Sequence, residues 1–155
     1  MTPADTLLDK LKRRDFVITA EIAPRLTADR RVIAEQVAPL KGRVDAINVT
    51  DCAGARVTMS SLGAAALLVA EGVEPIMHVT CRDRNRIALA ADLVAASALG
   101  IRNLLILTGD DPRTGDEPDA RPVYDLDAAG LTRLARRLGK PGVTPSGRPL
   151  GQPAA

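Results

Sequence analysis

The sequence predicts an α/β fold of the (β/α)8 TIM-barrel type, present as its first four βα units, a half barrel. Three observations predict it. Short apolar runs that end in polar residues alternate with helical patterns, the order that builds a parallel sheet. The strand-end residues Glu21, Thr50, Thr80 and Asp110 stand 29, 30 and 30 residues apart, a regular βα repeat. A complete barrel takes about 250 residues, and this chain has 155. A flavodoxin-like open sheet would also take four or five parallel strands. Its Gly-rich loop after the first strand is missing, because the sequence there is EIAPRL.

Residues 1–15 form the first division, with a short amphipathic helix from Thr2 to Arg14 that carries Leu7, Leu8 and Leu11. Its expected place is across the bottom of the domain. The half barrel occupies residues 16–138. Its first strand is Phe16 to Ile22, stopped by Pro24, which biases Ala23 to extended geometry. Thr27 can cap a helix to about Leu40, with Val32, Ile33, Gln36 and Val37 facing inward and Pro39 confined to its last turn. The second strand is Asp45 to Thr50. Ser60 or Ser61 starts a helix to Glu71, and Gly72 ends it.

Pro75 opens the third strand, Ile76 to Thr80, at a position where proline is tolerated. Asp83 or Asn85 can cap the next helix. Ile87, Ala91, Val94 and Ala98 recur on one face of it, and Gly100 sits where a left-handed cap belongs. Leu104 to Leu107 is wholly apolar, the mark of a strand covered on both faces. A loop rich in Pro, Gly and Asp runs from Asp111 to Tyr124. Asp127 then caps a helix through about Leu138, with Leu131, Leu134, Ala135 and Leu138 on one face. Residues 139–155 are Gly/Pro-rich and are expected to be poorly ordered.

Composition excludes several classes. The net charge is +2, too small for a nucleic-acid footprint, and only Phe16 and Tyr124 are aromatic, so stacking platforms for single strands are absent. Cys52 and Cys81 fit no zinc spacing and read as inert small residues. No secretory core or membrane span is present. A cytoplasmic protein with reduced thiols is expected, with no metal, nucleic-acid or membrane partner.

The chemistry gathers at the strand ends, where parallel α/β folds bind ligands. Glu21 ends an apolar strand, a setting that raises a carboxylate's pKa and suits a general acid. The plainer reading is a solvated carboxylate at the strand mouth. Gly109 lets backbone approach a ligand beside Asp110, or Gly109-Asp110-Asp111-Pro112 is simply a turn. His78, the one histidine, is either a site residue or a hydrogen-bonded structural one. Arg82, Arg84 and Arg86 could hold phosphate, but a solvated, salt-bridged loop is the favoured reading. Glu21, Thr50, His78 and Asp110 would share one mouth of the sheet, which strengthens each separate signal.

The segments VDAINVTD, MHVTCRDRNRIALAADLVAASALGIRNLLILTGD and RPVYDLD resemble the N-terminal half of methylenetetrahydrofolate reductase, in its bacterial branch with the RDRNR loop. The likeness runs in order over nearly all of Phe16 to Leu138. It implies a (β/α)8 barrel with FAD at its C-terminal mouth. It also implies hydride transfer from NAD(P)H through the flavin to 5,10-methylenetetrahydrofolate, giving 5-methyltetrahydrofolate. By the same resemblance Glu21 matches the general acid that opens the imidazolidine ring to an iminium. Asp110 matches the aspartate that contacts the pterin and tunes the flavin. Thr50 and Asp51 fall where nicotinamide and flavin are contacted. His78, Thr108 and Gly109 match flavin contacts, and Tyr124 and Asp125 match positions near the adenosine of FAD.

Three departures from the family pattern stand out. Ile22 and Ala23 replace two aromatics, Asp51 replaces an aromatic of other branches, and the chain stops after four units. SGRPLGQPAA reads as the lead-in to a fifth strand. The rival expectation is an inactive half barrel that associates with itself or with a chain completing it, because open sheet edges and apolar faces favour association. A flavin-free barrel lyase that keeps Glu21 as its acid is a third reading.

Overall fold

The computed structural model describes residues 5–152 and Ala154. Four parallel strands, β1 (Thr19–Ile22), β2 (Ala46–Val49), β3 (Pro75–Thr80) and β4 (Asn103–Leu107), lie side by side in chain order. Helices alternate with them: α1 (Leu7–Arg13), α2 (Arg30–Val37), α3 (Ser61–Ala70), α4 (Arg86–Ala98) and α5 (Ala128–Gly139). The fold is α/β with a parallel sheet, as the repeat predicts. Among the described residues β1 pairs only with β2 and β4 only with β3.

Each start and stop has a local cause. Thr6 caps α1 through a reciprocal pair with Asp9. The first part of the expected helix, residues 2–4, lies outside the described residues. The Leu7 N–H donates to Glu74 Oε2 (2.9 Å) and Lys10 pairs with Asp45. Glu74 and Asp45 directly precede β3 and β2, so α1 lies under the N-terminal strand ends. Asp29, not Thr27, caps α2, taking the Arg31 N–H at 2.9 Å. Ser60 caps α3, Asn85 caps α4 with bonds from the Ile87 and Ala88 N–H groups, and Asp127 caps α5. Gly100 has φ +81° and Ile101 packs back, 2% exposed. β1 is shorter than expected, and Phe16 is 89% exposed before it starts.

Strand alternation divides the sheet into two faces. Ile22, Ile47, Val49, Met77 and Val79 point to the helices and form the core with Ile33, Val37, Leu68, Leu89, Leu93 and Leu131. The other face carries the register row Glu21, Asn48, Ile76, Asn103 and the neighbours His78–Leu105 and Thr80–Leu107. This second face corrects the reading of β4 as doubly covered. Leu105 and Leu107 are 40% and 38% exposed, while Leu104 and Ile106 pack on the core.

A second correction concerns α4. Its buried stripe is Leu89, Leu93 and Ala96, whereas Ile87 is 77% exposed and Val94 also faces outward. The helix is apolar on nearly every side, so periodicity offers two stripes, and the one with two leucines is buried. The segment after α5, expected to lack order, carries a hydrogen-bonded turn. Val143 bridges Pro149, Thr144 N–H donates to Arg148 O (2.8 Å), and Leu150 packs on the core. No helix among the described residues is long and apolar enough to cross a membrane.

Candidate active site

The structure brings Glu21, Thr50, Asp51, His78, Thr108, Gly109 and Asp110 to one cleft of about 320 Å³ at the C-terminal ends of the strands. A larger groove, about 820 Å³, lies between the outer face of α4 and the 144–150 turn. Its lining is mainly aliphatic, and its Arg86 is already tied to Asp125, so convergent polar chemistry belongs to the smaller cleft.

Glu21 stands on the open face of the sheet and is exposed. Its side chain has no hydrogen bond among the described residues. The apolar surroundings expected from its strand are absent, because alternation turns Ile22 to the core and Glu21 away from it. Beside it on β2, the side chain of Asn48 donates to Ala20 O (3.3 Å) and meets His78 Nε2 (3.2 Å). His78 is 4% exposed, and burial lowers its pKa although Glu21 and Asp51 pull it upward. Thr50 is 5% exposed and its Oγ1 is buried, without a hydrogen-bond partner among the described residues.

Asp51 is a buried clamp. It accepts from the Thr80 N–H (2.9 Å) and Thr80 Oγ1 (3.0 Å), and Arg84 pairs with the same oxygen. Arg84 also reaches Asp92 at 3.1 Å. Burial works against the Arg84 charge, yet Asp51 and Asp92 raise its pKa overall. Arg82 pairs with Asp83 (2.8 Å) and donates to Cys52 O. The three arginines are salt-bridged as expected, but Arg82 is buried, 3% exposed, and Arg84 is half-buried. Cys81 is buried and its thiol pKa is pushed up by that burial, in keeping with an inert residue.

After β4, Thr108 Oγ1 accepts from Ala128 N–H at 3.3 Å. Gly109 has φ +100°, and a Cβ there would sit 3.0 Å from Arg82 Cβ and 3.1 Å from Thr80 Cβ. Asp110 Oδ2 accepts from the Gly54 N–H at 2.9 Å, which ties the loop after β2 to the loop after β4. Tyr124 and Asp125 are not in the cleft lining. Tyr124 OH donates to Asp110 O (2.9 Å), so it supports the cleft from behind. Asp125 takes the Arg86 N–H, Nε and Nη2 at 2.8–2.9 Å, and this pairing lowers its pKa to about 2.

Sequence reasoning named Thr80 only as a strand end, though it lines the cleft, and missed Asn48, which contacts His78 from β2. The signal was available: Asn48 is two residues before Thr50, and a strand's period of two puts both on one face. The Asp51–Arg84 bond carried no such signal, because the partners lie on different loops.

A model of the family described as methylenetetrahydrofolate reductase matches residues 6–150. The chain belongs to the methylenetetrahydrofolate reductase family. Thr50, Asp51, His78, Thr108, Gly109 and Asp110, from two of the segments that carried the resemblance, line this family member's cleft. A Caenorhabditis elegans protein named probable methylenetetrahydrofolate reductase (NADPH) is 34% identical over 101 residues. That alignment covers 64% of this chain and 15% of the relative, so the chain spans a small part of the relative's length.

In this family member Gly109→Ala should destabilise the chain by about 1–3 kcal/mol, the usual cost of a strained backbone position. Both facing atoms are Cβ atoms, which cannot swing aside. Urea unfolding at constant slope tests this, and an unchanged midpoint would contradict it.

Proposed function

We propose that this chain carries the acid and part of the flavin and folate sites of a methylenetetrahydrofolate reductase, an oxidoreductase of one-carbon metabolism, in the form of a half (β/α)8 barrel in the cytoplasm. The observation that carries the reading is the convergence of Glu21, Thr50, His78, Gly109 and Asp110 in one cleft. One feature of the cleft suits FAD: the orphaned Thr50 Oγ1 offers a hydroxyl to a ligand. Thr50, Asp51, His78, Thr108, Gly109 and Asp110 would hold the flavin end, and Tyr124 and Asp125 the adenosine end. Asp51 would act through the wall it braces, since its oxygen is already shared between Thr80 and Arg84.

When bound, FAD would supply the hydride chemistry that links NAD(P)H to the methylene carbon of the folate. Glu21 supplies the proton. The product keeps the one-carbon unit on N5, so the bond that breaks is the one to N10, and N10 takes the Glu21 proton. Glu21 suits this role because it lines the cleft, is exposed, and has a side chain committed to no other group among the described residues.

A second reading has its own support. Among the described residues the outer edges of β1 and β4 are unpaired and Leu105 and Leu107 are exposed, as in an inactive half barrel that pairs with itself or with a completing chain. One experiment separates the two. The purified 155-residue chain is titrated with FAD, read by flavin absorbance and fluorescence together with its mass in solution. Stoichiometric FAD on a defined dimer or complex supports the flavoenzyme. A flavin-free chain of defined mass supports the inactive half barrel.

A further inference from the structure

The Asn48–His78 contact determines more than a position. The side chain of Asn48 faces two groups, the Ala20 carbonyl and the His78 ring. A carbonyl only accepts, so the Asn48 NH₂ group must face Ala20. Its Oδ1 therefore faces His78 Nε2 at 3.2 Å. An amide oxygen only accepts, so Nε2 must carry the proton. The other nitrogen of the neutral ring, Nδ1, then holds a lone pair, and it has no hydrogen bond among the described residues.

We propose that Asn48 is a positioning residue of the cleft: it fixes His78 as the Nε2–H tautomer and leaves Nδ1 as the acceptor for an N–H or O–H group of the bound ligand. The tautomer rests on this chain alone, while the identity of the ligand rests on the function proposed above. Three neighbouring facts fit it. Ser61 Oγ donates to the His78 carbonyl at 2.7 Å and holds the strand under the ring. Burial keeps the ring neutral. The charged groups that act on it are Glu21 on β1 and Asp51 after β2, and Leu105 on β4 adds none. Without Asn48, nothing among the described residues distinguishes the two ring nitrogens.

The test uses the fact that His78 is the chain's one histidine, so every imidazole signal in a nitrogen NMR spectrum belongs to it. The wild-type chain should show one neutral tautomer, Nε2–H, with a proton protected from exchange and an apparent pKa below 6.5. Asn48→Ala should give a mixture of tautomers and lose the protection. Asn48→Asp should raise the His78 pKa, by about one unit or more, because a carboxylate stabilises the imidazolium. A wild-type ring protonated at Nδ1, or a tautomer unchanged in Asn48→Ala, overturns the proposal. If Asn48→Ala fails to fold, the wild-type tautomer and the Asn48→Asp titration decide it. No flavin is needed, so failure of FAD binding leaves the result standing.

Discussion

In the reductase proposed above, Glu21→Gln should lower folate reduction by a factor of about 10²–10⁴, the usual contribution of a general acid, while reduction of the flavin by NAD(P)H keeps its rate. Glutamine matches the shape of glutamate and still forms hydrogen bonds, but it has no proton to give N10. The first half-reaction moves a hydride between cofactors and needs no such proton. Stability should stay within about 0.5 kcal/mol, as for an exposed substitution, because Glu21 is exposed and its side chain has no hydrogen bond among the described residues. The two half-reactions are followed separately by stopped-flow flavin absorbance on the FAD-loaded enzyme. Equal loss of both would refute the acid role.

Asp51→Ala should be the most damaging of the substitutions considered for folding. Removing one partner of a buried ion pair costs about 3–5 kcal/mol, because it strands the other charge. The lower end applies, since Asp92 still neutralises Arg84 at 3.1 Å. The buried Thr80 N–H loses its acceptor as well, a loss of about 1–3 kcal/mol on its own. Domains of this size are stable by only about 5–15 kcal/mol, so the variant should be near its limit. Combining Asp51→Leu with Arg84→Met should restore part of the loss, because no buried guanidinium is stranded and the Asp92 carboxylate that loses Arg84 is partly exposed to water, while the Thr80 N–H stays without its acceptor. Denaturant melts of the two single variants and the double variant give the coupling. A double loss equal to the sum of the singles would contradict the clamp.

The repeat was legible because each βα unit carries its own punctuation. Gly72 with Val73 and Gly100 with Ile101 end two helices in the same way, and both stops are present. Asn85, Ser60 and Asp127 cap the helices as their side chains allow. Most of the cleft was legible for a related reason: strand ends at a fixed interval bring their polar residues to one mouth. Two things were not legible. The period of α4 identifies stripes, but a helix apolar on most sides does not say which stripe is inward, so Ile87 and Leu89 look alike until packing chooses. The surroundings of Glu21 depend on what covers the second face of the sheet, and an apolar neighbour such as Ile22 reports on the opposite face. Arg84 with Asp51 is a contact between loops 33 residues apart, which no local pattern encodes.

Each strand pairs with the one made just before it. During synthesis, which adds about 5–20 residues per second, every new strand would therefore meet a template that already exists. The sheet can grow in the order of translation, one unit every few seconds, without waiting for a distant segment to return. Low sequence separation of this kind favours fast pairing. It also means that the newest strand always carries the unpaired row of N–H and C=O groups, the template on which the following strand can pair. Among the described residues that row belongs to β4.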